Sequence, residues 1–307
     1  MQTTSKILMV RPARFAFNEE TAENNYFQIR SELSDQESEK ERIAEEAIKE
    51  FDAFVKLLRA NDVDVTVVQD TPDPHTPDSI FPNNWFSSHF SGELVLYPMF
   101  APNRRLERKP HIIELLKRNM NHRKVVDFTF WENEGEYLEG TGSMVFDRRK
   151  KIAYCCRSPR TSEKVLADFC SRMNFQPVIF DAVDKNNNNI YHTNVMMAIG
   201  MQVAVICLES IKDEDERKKV ISQLNSTGKI IVDISLEQVS QFAGNMIEVK
   251  SRNGSPLMIM SASAHNSLTS SQENIISTYN RIVSAELGTI EKNGGGSARC
   301  MIAEIFY

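Results

Sequence analysis

Short apolar runs alternate along this chain with longer stretches in which apolar and charged residues interleave. Ile7-Leu8-Met9-Val10 is unbroken and stops at Arg11-Pro12, the pattern of a buried strand. From Ser34 to Asn61, the residues Ile43, Ala47, Phe51, Phe54, Val55 and Leu58 recur at three- to four-residue spacing with charges between them. That spacing predicts an amphipathic helix packed on something flat, and a strand over Val63 to Gln69 follows it. The order then returns. Leu94 to Met99 reads as a strand, Pro110 to Asn119 as a helix and Lys124 to Phe128 as a strand. A third round holds Ser143 to Phe146, Lys151 to Cys156, a helix from Ser162 to Met173 with Ser162 suited to its N-cap, and Pro177 to Phe180. The fourth uses Val195 to Ile199, Val203 to Leu208, a helix from Asp213 to Leu224, and Ile230 to Asp233. The fifth has Met246 to Lys250, Leu257 to Ser261, a helix from Ser271 to Ile282, and a closing strand near Cys300. A strand-strand-helix-strand unit recurring every roughly 50 to 60 residues predicts an α/β protein of radial or stacked repeats, not a doubly wound sheet. In a radial arrangement the polar loops at the strand ends converge on one point. No Gly/Ser spacer interrupts the pattern, so residues 1–307 are expected to form a single domain.

Composition narrows the partners. The net charge of −6 leaves no broad basic excess to neutralise phosphates, which argues against nucleic acid. The basic cluster Asp147-Arg148-Arg149-Lys150-Lys151 is expected to be a solvated turn. Five cysteines, an odd number at irregular spacing, suggest a reducing compartment without a disulfide framework. Ile7 to Val10 is too short for a signal-peptide core or a membrane span, so no membrane partner and a cytoplasmic location are expected. The scattered histidines (His75, His89, His111, His122, His265) and the adjacent Cys155-Cys156, which would face opposite sides of a strand, show no metal-ligand pairing. No glycine signature for phosphate precedes a helix, so no cofactor is expected either.

Candidate chemistry lies in three places. Asn293-Gly294-Gly295-Gly296-Ser297-Ala298-Arg299-Cys300 is a glycine turn that lets backbone approach a ligand and leads into a cysteine and a last apolar segment, Met301 to Tyr307. Taken alone, Cys300 is as well explained as a small buried hydrophobe. Glu139 precedes Gly140-Thr141-Gly142 and an apolar strand, and is a hydrated turn residue or an acid aimed into a pocket. His192 stands at the mouth of another strand, where a lone histidine is commonly structural. Together they are the nucleophile, general acid/base and carboxylate of covalent amide-type hydrolysis, drawn from separate repeats.

Beyond these, the chain carries Leu8-Met9-Val10-Arg11-Pro12, Thr76 to Phe86 (Thr-Pro-Asp-Ser-Ile-Phe-Pro-Asn-Asn-Trp-Phe), Leu96-Tyr97-Pro98-Met99, Asn103-Arg104-Arg105, Leu138 to Gly142, Tyr191-His192-Thr193-Asn194-Val195 and Gln241 to Met246. Their order, nearly end to end, resembles the guanidine-modifying superfamily of arginine deiminases and amidinotransferases, and within it the citrulline-utilisation hydrolases. The resemblance implies a five-bladed α/β propeller, the pentein fold, and a Cys, His and Glu carried onto Cys300, His192 and Glu139. Arginine-handling relatives hold the guanidinium between two aspartates, at positions that match Asn84 and Asn194 here. A buried guanidinium needs compensating charge, whereas an amide pair suits a neutral ureido group. The expected substrate is therefore citrulline or a citrulline-like compound, cleaved through a covalent thio intermediate to ornithine, carbon dioxide and ammonia. Asn84, Asn194 and Asn245 would orient the ureido group beside Asp78. Arg104, Arg105 or Arg299 would bind the α-carboxylate, although Arg299 should point away from Cys300 if both lie on a strand. Glu139 would hold a substrate N–H and bias His192 toward its protonated form. An arginine deiminase, dihydrolase or amidinotransferase with the same chemistry stays open, as does a non-catalytic propeller binding protein like the ribosome anti-association factors. A homodimer is left open as well.

Overall fold

Residues 1–30, 36–119 and 124–306 are described by a computed structural model. Five three-stranded sheets form the frame, each with an inner, a middle and an outer strand. In blades two to five a hairpin joins the antiparallel inner and middle strands, and a crossover containing a helix carries the chain to a parallel outer strand. Parallel neighbours require that longer connection. Blade two is Phe86–Ser88, Glu93–Leu96 and Lys124–Asp127, crossed by the helix Pro110–Asn119. Blade three is Val145–Asp147, Ile152–Cys156 and Gln176–Phe180, with the helix Glu163–Met173. Blade four is Met197–Ile199, Val203–Ile206 and Ile230–Asp233, with Glu214–Ser226, whose N-terminus Asp213 caps through two backbone N–H groups. Blade five is Ile247–Lys250, Pro256–Ser261 and Arg281–Ala285, with Ser270–Tyr279.

Blade one is built from both ends of the described chain. Lys6–Arg11 pairs in parallel with Asp64–Gln69 across the long helix Glu37–Ala60 and antiparallel with Ala303–Glu304. The buried face of that helix is Ile43, Ala47, Phe51, Phe54, Val55 and Leu58, the set its periodicity picks out; the expected start at Ser34 lies outside the described residues. The last segment differs from expectation. The fifth helix ends at Tyr279, because Asn280 is extended (φ −139°, ψ 139°) and the β-branched Ile282 and Val283 enter the outer strand of blade five. The strand beyond Cys300 therefore belongs to blade one, not to blade five. Ser162 occupies the N-cap position of its helix, but its hydroxyl donates to Glu136 and caps nothing. The predicted basic turn is a hairpin whose Arg148 turns inward to Glu304 at 3.1 Å.

Apolar packing runs between blades more than within them. One buried cluster joins blades three to five, another blades five and one, a third blades two and three, and a fourth blades one and two. Cys155 and Cys156 face different clusters, as alternation along a strand requires. No helix among the described residues is long and apolar enough to cross a membrane.

Closure of blade one rests partly on Ser88, a fully buried residue of blade two. Its Oγ donates to the Glu304 carbonyl and accepts from the Phe306 N–H, both at 2.8 Å. Ser88→Ala orphans both backbone groups and should cost about 1–3 kcal/mol. The expected result is a lower urea midpoint at unchanged slope; an unchanged midpoint would show that closure does not depend on this bridge.

Candidate active site

Each inner strand is entered through a tight turn, and these five turns supply the candidate residues. The turn Pro82–Asn84 precedes blade two, Gly140–Ser143 blade three, and Thr193–Val195 blade four. Residues 241–244 turn into blade five, and residues 298–301 turn into the closing strand of blade one. Asn84, Glu139, His192 with Asn194, Asn245 and Cys300 thus come from equivalent places in five repeats. All six are buried.

The sulfur and the imidazole belong to this shared cluster. Cys300 Sγ accepts from Asn245 Nδ2 at 3.2 Å and from Asn194 Nδ2 at 3.5 Å, and Asn194 is two residues beyond His192. Asn245 also receives the Arg299 N–H on Oδ1 at 3.1 Å, which fixes its amide orientation. His192 Nε2 lies 2.7 Å from Glu139 Oε2, while Glu139 Oε1 accepts the Phe100 N–H at 2.9 Å. Burial raises the Glu139 pKa, but Arg160, His192 and Arg104 outweigh it and hold the carboxyl well below its ordinary range. The anion accordingly takes the Nε2 proton and leaves the lone pair on Nδ1. Burial lowers His192 to about 4; Glu139 opposes this, and Arg160 and Arg104 reinforce it. Glu139 does bias His192 toward imidazolium, as expected, but burial, with Arg160 and Arg104 behind it, outweighs that bias and leaves the neutral ring favoured. Both Glu139 oxygens are also already engaged by protein donors.

Gly142 lets Asn84 and His192 pack directly against its backbone. A Cβ there would fall 2.4 Å from Asn84 Nδ2 and 2.7 Å from His192 Nδ1, so amide and lone pair share one side of the turn. Gly294 and Gly296 similarly allow the turn before Cys300 to close on the Phe81 ring.

Arg104 is buried, not surface charge. Its guanidinium meets Glu107 at 2.8 Å, Asp78 at 3.7 Å and Glu139 at 3.8 Å, and donates to Asn84 Oδ1 at 2.9 Å. Pairing with Arg104 opposes burial at both Asp78 and Glu107, yet both remain raised, Glu107 to about 7. The bond to Oδ1 orients the Asn84 amide and leaves Nδ2, a donor, without a partner; Asp78 Oδ1 and Asn194 Oδ1 are buried and unpartnered too. Arg105 lies elsewhere, donating to the Met99 and Phe100 carbonyls at 3.0 and 3.2 Å. Arg299 turns away from the sulfur toward the Ile302 carbonyl at 2.8 Å and Glu304 at 3.2 Å, although it sits in a turn and not on a strand.

The sequence reading missed Arg160, Glu107 and Tyr191. Arg160 lies 3.5 Å from Glu139 and 4.8 Å from the Tyr191 ring centroid, and Tyr191 donates to the Gly295 carbonyl. Arg160 donates to Asn24 Oδ1 at 2.7 Å and the Thr21 carbonyl at 3.0 Å. Those acceptors belong to a strap around the short helix Glu19–Ala22. Asn18 reaches Asp78 at 2.7 Å, and Asn25 and Gln28 donate to the Gly294 and Asn293 carbonyls at 3.1 Å. The polar run Asn18 to Asn25 was therefore a signal: its asparagines are buried acceptors and donors, not a hydrated loop.

Five sheets with a cysteine turn and a His–Glu pair at their inner ends define the guanidine-modifying pentein superfamily, and its relatives here are hydrolases of carbon–nitrogen bonds other than peptide bonds. Within it, the chain belongs to the family described as N,N dimethylarginine dimethylhydrolase, eukaryotic, whose model matches residues 11–307. No curated protein sequence matches the chain. Its fold is similar to ArgZ, an arginine dihydrolase from the ornithine-ammonia cycle in cyanobacteria, with TM-score 0.75 and 16% identity over 98% of this chain and 40% of that one. It is similar to the N-terminal domain of ArgZ bound to substrate, with TM-score 0.71 and 16% identity over 98% of each chain. A dimethylarginine dimethylaminohydrolase adduct with S-methyl-L-thiocitrulline aligns with TM-score 0.67 and 18% identity over 98% of this chain and 99% of that one. At such identities the likeness is one of fold.

The depressed His192 pKa has a sign that can be measured. The folded ring binds its proton less readily than an unfolded histidine, so the contribution of His192 to stability is present above about 6.5. It is lost as pH falls toward about 4. The His192 Cε1–H resonance, assigned by its absence in His192→Asn, should titrate near 4; a midpoint at or above 6.5 would contradict the electrostatics described.

Proposed function

We propose that the protein hydrolyses the ureido group of citrulline, or of a citrulline-like compound, through a covalent intermediate on Cys300. One observation carries this reading: Arg104 holds Asn84 by its oxygen, so the atom left buried without a partner is an amide N–H donor. A guanidinium offers only donors and would meet it with N–H against N–H; a ureido carbonyl accepts from it. The charges agree. Asp78, Glu107 and Glu139 exceed Arg104 and Arg160 by one formal charge, and burial raises the pKa of both Asp78 and Glu107, which withdraws that surplus anion from a third buried cation.

In this mechanism His192 Nδ1 takes the thiol proton and Cys300 Sγ attacks the ureido carbon. The carbonyl oxygen becomes an oxyanion, which Asn84 Nδ2 stabilises. Collapse breaks a C–N bond, and the His192 proton goes to the departing amine. Neutral His192 then removes a proton from water, which attacks the thiocarbamoyl carbon and restores the thiol. The carbamic acid released decomposes, so citrulline and one water yield ornithine, carbon dioxide and ammonia. Glu139 orients His192 and balances its transient charge. Asn194 and Asn245 orient the sulfur and the ureido N–H groups. Arg160 replaces Arg105 and Arg299 as the candidate for the α-carboxylate, because two of its donors are held only by strap atoms that a substrate would displace.

The rival is hydrolysis of arginine itself, the substrate named for ArgZ. Ornithine and ammonia release should be faster from citrulline than from arginine, and absent in Cys300→Ser. Asn84→Asp should lower kcat/KM for citrulline by about 10²-fold, the loss expected for one oxyanion donor. Faster turnover of arginine by the wild type would overturn the ureido reading.

A further inference from the structure

Glu291 is buried, carries a carboxylate, and has no part in the chemistry above. It sits in the helix Gly288–Gly294, immediately before the glycine turn. Its Oε1 accepts from Ser297 Oγ at 2.6 Å, its Oε2 accepts from Ser263 Oγ at 2.7 Å, and its backbone carbonyl accepts the Gly295 N–H at 2.9 Å. Ser297 in turn offers its carbonyl to the Cys300 N–H at 3.0 Å and the Met301 N–H at 3.3 Å. One residue therefore grips both ends of Gly295-Gly296-Ser297 and ties them through Ser263 to the segment that follows the middle strand of blade five. The helix itself is anchored at its other end, where Glu50 accepts the Thr289 and Ile290 N–H groups at 2.8 and 3.0 Å.

Such a grip is needed because this turn has no stiffness of its own. Gly294, Gly295 and Gly296 lack the side chains that would restrict their backbones, and Gly295 lies at φ +62°. Burial pushes the Glu291 pKa up, and the hydroxyls of Ser261, Ser297 and Ser263 pull it back; the groups that hold the carboxylate are hydroxyls, which are directional.

We propose that Glu291 is a positioning residue for the nucleophile, fixing Cys300 Sγ through Ser297 and the backbone of the glycine turn. The proposal rests on the Cys300 hydrolase reading, and its test separates the two. Cys300 alkylation by iodoacetamide is read beside kcat and KM for citrulline in Glu291→Ala, Glu291→Gln, Ser297→Ala and the Glu291→Ala/Ser297→Ala double variant, each with its melting temperature.

Glu291→Ala and Ser297→Ala should each lower kcat by about 10²-fold, the scale of a reacting atom displaced by an ångström, with KM within about threefold. The alkylation rate should change in both variants. Glu291→Gln, which can accept one hydroxyl and donate to the other, should stay within about tenfold of wild type. The double variant should be no worse than the weaker single variant, since both act through one contact. If Glu291→Ala and Ser297→Ala leave kcat and alkylation within about twofold of wild type, the proposal is overturned. If alkylation changes in Glu291→Ala and Ser297→Ala while citrulline is not turned over by the wild type, Glu291 positions the thiol and only the substrate reading fails.

Discussion

The contact between Arg104 and Asn84 decides more about this molecule than any other single interaction. A guanidinium buried among Glu107, Asp78 and Glu139 can point a donor at only one face of the neighbouring amide, and it takes the oxygen. The remaining amide group is then a donor by elimination. The same cation adds to the larger effect of Arg160 in keeping Glu139 ionised, and to the larger effects of burial and Arg160 in keeping His192 neutral.

That arrangement depends on the ring of blades. Every repeat contributes one turn to the centre, and no repeat holds both the sulfur and the imidazole. Because the apolar clusters bridge neighbouring blades, a shift of one sheet against the next would move Glu139 relative to His192 and Asn194 relative to Cys300. The closing strand Ala303–Glu304 is begun by the turn that bears Cys300, which ties completion of the ring to placement of that thiol.

Much of this was legible beforehand where local pattern and burial coincide. The helix face from Ile43 to Leu58, the repeated units and the turns bearing Glu139, His192 and Cys300 all follow from periodicity, glycines and polar residues at strand mouths. The rest depends on contacts between residues distant in sequence. Arg160 pairs with Glu139 and with Asn24, 136 positions away, so nothing near it marks it as buried. Arg104 and Arg105 are adjacent and look alike, yet a single helical turn sends one to the centre and the other to the Met99 and Phe100 carbonyls. The outer strand Arg281–Ala285 was hidden because Ile275, Ile276, Tyr279 and Ile282 extend the helical spacing past the real break at Asn280.

The most direct test of the account is a crystal structure of Cys300→Ser with citrulline bound. The ureido oxygen should lie about 3 Å from Asn84 Nδ2, with the Asn84 oxygen still on Arg104. A ureido oxygen turned away from Asn84, or an Asn84 amide released from Arg104, would contradict it.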